Sequence, residues 1–364
     1  MFTRRALLTG SAVSIVTAAV PTGSAFAGSA MSYDEAIAKT WATLRGDGGL
    51  NELVRYATLA ANSHNTQPWR FRVEQSRISI LPDFSRRCPV VDPDDHHLFA
   101  SLGCAAENLV HAAGAAGFKA TLAFSAANHA AIALEPSAVL RTELFEAIPH
   151  RQCVRAEYDG QAITPEQVRL LERAGRSDGV SVLMIADRPK IEKILEYVVQ
   201  GNSAQMRDPA FMNELKAWIR FNDASALATM DGLSARSSGN PSLPSWLAEL
   251  LLPFVLSEKS ENDKYSKQLR SSSGIAVFVS ERDDKAHWFE AGRACQRFAL
   301  KATALGLKYA FVNQPVEVPE LRSQLMTHLA IGDRRPDLIV RFGRGPELPK
   351  SLRRPVDQVA TVAG

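Results

Sequence analysis

The chain is poor in cysteine: four residues, Cys88, Cys104, Cys153 and Cys295, are scattered over 364 positions. That is too sparse for a disulfide framework or a cysteine-based zinc site. Two of them fall in segments of helical composition, where a thiol usually serves as a small buried apolar group. An excess of one charge is also missing, with 42 basic against 39 acidic residues. This balance gives no reason to expect nucleic acid or an anionic membrane as partner. There is no G-x-S-x-G, no P-loop and no G-x-G-x-x-G after a strand, so hydrolase and nucleotide-triphosphate readings lack support.

The first 27 residues read as a leader. A basic start, a mildly apolar run over 6–20 and Ala25-Phe26-Ala27 as an A-x-A site make a secretory signal, too short in its apolar part for a membrane anchor. Thr3-Arg4-Arg5 followed by Leu7-Leu8 resembles the twin-arginine export signal, with an ordinary secretory leader as the alternative. The reading predicts a protein handled by the twin-arginine machinery, delivered to the periplasm or beyond, with no stable membrane anchor. The remainder is long enough for two ordinary domains or one large one.

Helical and strand-like runs alternate along that remainder. Residues 33–61 have helical composition, and 70–81 alternate as a hairpin with Phe71 and Val73 facing Ile78 and Ile80. A small-residue helix is predicted over 98–117, strands within 119–134, a helix at 165–175, a strand at 180–186 and a helix at 189–200. Residues 201–273 break the pattern with helical pieces around 211–221 and 246–256 separated by polar runs. They read as an insertion laid over a core, a lid-like segment. The core resumes with the apolar strand GIAVFVS from Gly274, a helix at 286–305 and a strand at 337–342.

An internal repeat organises these elements. GCAAENLVHAAGAAGFKA at 103–120 aligns without gaps on GRACQRFALKATALGLKY at 292–309: Gly103 meets Gly292, Glu107 meets Gln296, Gly117 meets Gly306 and Lys119 meets Lys308. Small residues at this spacing let two helices approach closely, so the two copies are expected to pair across a pseudo-twofold axis. The fold class predicted is α+β, two related halves at 28–145 and 146–364 fused as an internal pseudo-dimer, and hence a monomer.

Three constellations offer polar chemistry. The first is the loop Asn62-Ser63-His64-Asn65-Thr66-Gln67-Pro68-Trp69, denser in hydrogen-bonding groups than a solvated turn requires. The second is Arg151-Gln152-Cys153-Val154-Arg155, where two guanidinium groups are placed to reach one anion, or simply to pair with Glu157 and Asp159. The third is the arginine-rich end, from Arg341 and Arg344 to Arg353 and Arg354, a phosphate clamp or a loose basic tail. Asp92, Asp94, Asp95, His96 and His97, with Cys104 and His111 farther along, suggest a metal at first. Seven-residue steps spread His97, Cys104 and His111 along the helix, so the acidic run is read as a helix cap and no metal is assigned.

The residues carry a resemblance. SHNTQPWRF is similar to the Asn-x-Gln-Pro-Trp signature of nitroreductase-like flavoproteins, and RQCVR resembles their Arg-x-Ser-x-Arg/Lys motif. The helix from Gly292 resembles their dimer-interface helix, and SLRRPVD their C-terminal arginine motif. The loop precedes the arginine motif, the reverse of the usual order. In that order, and in the twin-arginine signal, the chain is similar to the Acg family of FMN-binding oxidoreductases, which look like a nitroreductase dimer in one chain.

The resemblance implies a nitroreductase-like fold and one FMN per chain. Arg151 and Arg155 would meet its phosphate and pyrimidine edge, with Gln152 and Cys153 lining the same segment. Ser63, Asn65 and Gln67, with backbone around His64 and Pro68, would close the site. Asn313 and Gln314 would approach the redox edge, and Arg353 and Arg354 would add charge at the phosphate. Flavin chemistry needs no protein nucleophile, so no catalytic residue is assigned. The implied activity is transfer of hydride or electrons through flavin to a small nitro- or quinone-like acceptor. The alternative is an FMN-binding protein that sequesters the cofactor under a closed lid.

Overall fold

The computed structural model describes residues 31–44 and 49–363, except the side chains at 249 and 252–255. The expected leader at 1–27 lies outside the described residues. From Tyr33 onward the chain clusters as one compact unit.

Period-two alternation builds the first sheet. β1 (Trp69–Glu74) and β2 (Arg77–Pro82) pair antiparallel, with Phe71 opposite Ile80 and Val73 opposite Ile78. Trp69, Phe71 and Val73 point inward while Arg70 and Arg72 face solvent. β3 (Phe118–Phe124) and β4 (Ala130–Pro136) complete the hairpin array. The second sheet contains β5 (Val180–Ile185), β6 (Gly274–Ser280), β7 (Lys308–Phe311) and β8 (Arg335–Gly343), in the order β5-β6-β8-β7. β6 and β8 are buried along their whole length, β6 as an unbroken apolar run and β8 with Arg335, Asp337 and Arg341 buried among its apolar residues. β9 (Ala360–Val362) returns to the first sheet and pairs parallel with β1, setting Ala360 opposite Phe71. No periodicity marks so short a strand; its partner alone makes it one.

The helices that shape the interior are α1 (Gly49–Thr58), α2 (His96–Ala115), α3 (Arg188–Arg207), α4 (Ser245–Val255), α5 (Glu258–Arg270) and α6 (Lys285–Ala304). α2 and α6 are the two copies of the repeat, and both their ends stand at one spacing of 189 residues. They pack reciprocally. A Cβ on Gly103 would stand 1.9 Å from the Phe289 carbonyl oxygen, and one on Gly292 would stand 1.9 Å from that of Ala100. Only glycine permits backbones this close. Around the crossing, Cys104 Sγ donates to the Gly292 carbonyl at 3.2 Å, and Gln296 Nε2 donates to Asn108 Oδ1 at 2.7 Å. The buried Glu107 carboxylate accepts from Arg293 and Arg297, each at 2.9 Å.

The architecture is α+β, as the alternating pattern indicates. One local expectation fails. The run at 257–273 is polar in composition yet folds largely as α5, capped by the Ser257 hydroxyl accepting the Ser260 N–H. A narrow stripe around Tyr265, Gln268 and Leu269 supplies its buried side, too thin to outweigh the lysines and acids in a composition reading. Within 201–273, α3 continues to Arg207 and the short strands Ile219–Arg220 and Leu233–Ser234 pair in parallel.

Candidate functional site

A cavity of about 370 Å³ opens where α2, the loop at 61–64, the second sheet and the segment 201–273 meet. That size is within the range of cofactor sites. Its apolar lining comes from both sides, Leu338 and Phe311 from the second sheet, and Phe211, Leu215, Leu233 and Leu251 from the inserted segment. The polar lining includes the amides of Asn202, Gln205, Asn313 and Gln314. Asn313 Oδ1 already accepts the Ile339 N–H at 2.9 Å, whereas the buried Gln314 Oε1 has no hydrogen-bond partner. An orphaned carbonyl oxygen in a cavity wall is a place for a ligand N–H.

A second cleft, about 710 Å³, adjoins the first and shares Arg155, Ser238, Asn240, Lys264 and Gln268 with it. Arg155, Lys259, Lys264 and Lys267 outnumber Glu157 and Asp263 in its lining, with Ser257 and Ser260 beside them. Arg341 fixes this corner from beneath. Fully buried, it donates through Nη2 to the carbonyls of Val154 at 3.1 Å and Ala156 at 2.8 Å, on either side of Arg155. Gln268 Nε2 donates to the carbonyl of Arg155 itself at 2.7 Å. The exposed guanidinium of Arg155 therefore stands on a rigid base.

The polar loop divides its residues between two tasks. Ser63 and His64 line the cavity, and Asn65, Gln67 and Pro68 do not. His64, Asn65 and Gln67 all take left-handed backbone, with φ of 45°, 53° and 55°. That conformation is uncommon for residues with a side chain and turns the Asn65 and Gln67 amides away from the cavity. Asn65 Nδ2 donates to the carbonyls of Gly232 and Leu352, both at 3.1 Å. Gln67 Nε2 donates to the Met230 carbonyl at 2.9 Å, and its Oε1 accepts the Arg354 N–H at 2.8 Å. These amides satisfy peptide groups that the inserted segment and the C-terminal tail would otherwise bury unpaired. Burial pushes the His64 imidazole down to about 4, so it is neutral near pH 7.

The arginine assignments change more. Arg151 is buried away from the cavity, with Nη1 donating to the Tyr309 hydroxyl and Nη2 to the Leu59 carbonyl at 2.9 Å. Arg353 donates to the carbonyls of Thr58 at 2.7 Å and Ala60 at 3.2 Å. Together the two guanidinium groups satisfy three successive carbonyls at the C-terminal end of α1, where the helix leaves acceptors and partial negative charge. They cap a helix, and neither lines the cavity. Arg354 donates to the Gln67 carbonyl at 2.7 Å and belongs to the same packing. Gln152 Nε2 donates to the carbonyls of Leu348 and Pro349, and Cys153 pairs with Tyr309 as a parallel bridge. Of the expected residues, the cavity gathers Ser63, His64, Arg155, Asn313 and Gln314.

Sequence reasoning passed over Asn202, Gln205, Tyr265 and Glu317. Tyr265 and Glu317 had no pattern to mark them, because each sits alone in a segment read as insertion or connection. Among the described residues, Asp92, His96 and His97 also lie close enough together for their ligand atoms to fall within 4.8 Å. Asp92 is engaged as a cap there, accepting the N–H groups of His97 at 2.9 Å and Leu98 at 3.0 Å. No metal was assigned from sequence, and the structural clustering does not itself assign one.

Comparison with known proteins gives one pair of curated relatives. The chain is 26% identical over 320 residues to two Mycobacterium tuberculosis proteins named "Putative NAD(P)H nitroreductase", Rv3131 and MT3217, covering 83% of this chain and 88% of each relative. No family model matches. Among solved structures, a Bacteroides fragilis nitroreductase with bound FMN is similar over 58% of this chain and 95% of its own, at 17% identity and TM-score 0.37. The FMN-dependent nitroreductase NfnB of Mycobacterium smegmatis, solved with NADPH, is similar over 57% and 94%, at 14% identity and TM-score 0.38.

Proposed function

We propose that the chain binds one FMN in this cavity and works as an oxidoreductase of nitroreductase type on a small nitro- or quinone-like acceptor. The observation that carries the reading is the pairing of an apolar, amide-edged cavity with a basic cleft through shared Arg155 and Lys264. A flavin mononucleotide has the same division: a flat apolar ring system with a polar edge, joined to a phosphate. The mycobacterial relatives, aligned over most of both chains, support the same chemistry.

When bound, the flavin supplies hydride acceptance and donation. The chain's own residues supply the rest. Arg155, Lys264 and Lys267 hold the phosphate by charge, since phosphate is doubly anionic and a basic cleft concentrates it. Asn313 and Gln314 orient the polar edge of the ring, with the orphaned Gln314 oxygen as acceptor. Phe211, Leu215 and Leu233 exclude water from one side of the cavity, which strengthens every polar contact within it. Arg151, Arg353 and Arg354 keep the scaffold in shape and do not touch the cofactor.

The residue pattern of the leader supports export by the twin-arginine route, and the repeat supports a monomer that carries both halves of a dimer-like site. The functional test is anaerobic. Flavin-loaded protein is mixed with NADH, NADPH or dithionite, then with a nitroaromatic or a quinone. The reading expects bleaching followed by return of the flavin absorbance with acceptor reduced in equal amount. Bound flavin that is bleached yet never reoxidised by either acceptor class would overturn the catalytic part in favour of sequestration.

A further inference from the structure

Beneath the cavity wall lies a line of four ionisable groups, three buried and one partly buried, from three separate parts of the chain. Asp337 Oδ1 lies 2.9 Å from His96 Nε2, His96 Nδ1 lies 3.2 Å from His97 Nδ1, and His97 Nε2 lies 3.3 Å from Glu317 Oε1. Asp337 is on β8, the two histidines open α2, and Glu317 ends the short helix Gln314–Glu317. The side chains of Asp337, His96 and His97 are less than a tenth exposed, and that of Glu317 is 17% exposed.

The geometry constrains the protons. Suppose both carboxylates are ionised and both imidazoles neutral, each donating from Nε2 to its own acid. Then two Nδ1 lone pairs face one another at hydrogen-bond distance in a dry interior, which is repulsive. One additional proton removes the conflict, and it has two resting places. Asp337 can be a neutral acid donating to His96 Nε2, with His96 Nδ1–H donating to His97 Nδ1. Alternatively Asp337 is ionised, His96 carries its proton on Nε2, and His97 is an imidazolium donating from Nδ1 to His96. Shifting two protons along existing hydrogen bonds interconverts them.

We propose that Asp337, His96, His97 and Glu317 form a proton relay that carries one mobile proton through the cavity wall to the molecule being reduced inside. His97 and Glu317 line the main cavity and also a smaller cleft of about 270 Å³. That cleft reaches the surface past Pro93, Asp94 and Pro319, all exposed. The wall thus has solvent on one side and the site on the other. The inference rests on the reading of the cavity as a flavin site.

The balance is simple. A quinone taking two electrons needs two protons to become a hydroquinone; hydride from the reduced cofactor brings both electrons and one proton. Glu317 takes the Nε2 proton of His97 and passes it to the acceptor oxygen as the second. His97 is refilled at Nδ1 from His96 and His96 at Nε2 from Asp337, which leaves Asp337 ionised and His97 Nε2 bare. A proton from water in the outer cleft, which His97 lines, then returns to His97 Nε2 and restores the imidazolium resting state. Glu317 ends as it began, a carboxylate, its other oxygen held by Gln205 Nε2 at 2.7 Å.

The surrounding charges suit a shared proton. Burial raises Asp337 to about 7, against the pull of the Ser280 N–H at 2.8 Å and of Arg335. Burial, His97, Arg335 and Arg322 lower His96. Burial would lower His97 too, but Glu317 and Asp92 outweigh it and raise the group. Arg335 is itself tied to Asp94 at 2.9 Å and to Asp283 at 2.5 Å, Trp288 packs edge-on to His96, and neutral His64 lies on the cavity side. The Asp337 proton is therefore available near neutral pH and is lost as pH rises through about 7.

Two measurements decide it. The first needs no flavin: nitrogen-15 NMR of histidine-labelled full-length protein. A single proton between the two Nδ1 atoms is expected as a far-downfield resonance, absent from His97→Gln and altered in Asp337→Asn. Two bare Nδ1 atoms, or a metal ion retained by the pair after dialysis against zinc, would overturn the relay. The second measures reoxidation of the reduced, flavin-loaded protein by a quinone, with rates expressed per bound flavin. Glu317→Gln is expected to slow it at least ~10-fold and to flatten its pH profile. A wild-type rate and profile in that variant would also overturn the relay. Failure to bind flavin at all would instead sink the cavity reading, leaving the NMR result to judge the proton pair.

Discussion

Gly103 meets the carbonyl of Phe289 just as Gly292, its counterpart in the repeat, meets the carbonyl of Ala100. The two contacts are one contact seen twice, which is what a local twofold between α2 and α6 requires. Gly103→Ala and Gly292→Ala should each destabilise the protein by at least about 1–3 kcal/mol, because a methyl group cannot fit against backbone oxygen without parting the helices. Thermal unfolding checks this. Unchanged melting in both variants would mean that the helices do not approach as described.

Arg151 and Arg155 separate structure from binding. Arg151→Ala leaves the Leu59 carbonyl and the Tyr309 hydroxyl without a buried partner and should cost about 1–3 kcal/mol of stability. FMN affinity of the folded fraction should change little. Arg155→Ala should do the opposite, weakening FMN binding about tenfold, as expected for one lost charge-assisted contact, with little change in melting. Titrations of both variants at a temperature where each is folded distinguish the roles, and a reversed pattern would restore the phosphate assignment to Arg151.

Glu107 sets an acid limit on the helix pair. Burial works to raise it, but His111, Arg297 and Arg293 outweigh burial and hold the carboxyl down to about 2. A depressed carboxylate contributes stability that is present above its unfolded value and lost as pH falls toward the folded one. The contribution, on the order of 3 kcal/mol, should disappear between about pH 4.5 and 2. Stability of wild type and Glu107→Gln measured across that window should converge at the acid end. Parallel curves would remove the ion cluster from the account.

Gln67 ties the inserted segment to the core through Met230 and to the tail through Arg354. Gln67→Leu breaks both bonds and leaves buried peptide groups unpaired, at a cost of about 1–3 kcal/mol. Limited proteolysis should then cut more readily between residues 230 and 245 than in the wild type. Equal cutting would show that the segment is held by other contacts.

The repeat was legible because a gapless match needs only residue identities, and helix ends and glycines fall at the same spacing. Alternation made β1 and β2 legible, and the apolar run made β6. The site was legible only in outline. The loop 62–69 announces polar density, but the left-handed backbone at Asn65 and Gln67 decides which way those amides face, and residue type does not encode that decision. Arg151 and Arg155 share one motif; only the three-dimensional path of Leu59 and Arg341 makes one a helix cap and the other a cleft residue. Glu317 and Asp337 were invisible for a different reason. Each joins the histidines across more than two hundred positions, a separation at which no local pattern operates.

The proposed function places FMN in the cavity between α2, the second sheet and the inserted segment. Its most direct test is to incubate the purified full-length protein with FMN, remove the unbound flavin, denature the protein and measure the flavin released per chain. The account predicts about one FMN per chain, lowered in Arg155→Ala and retained in folded Arg151→Ala. Folded wild-type protein that retains no flavin, or two flavins per chain, would contradict it.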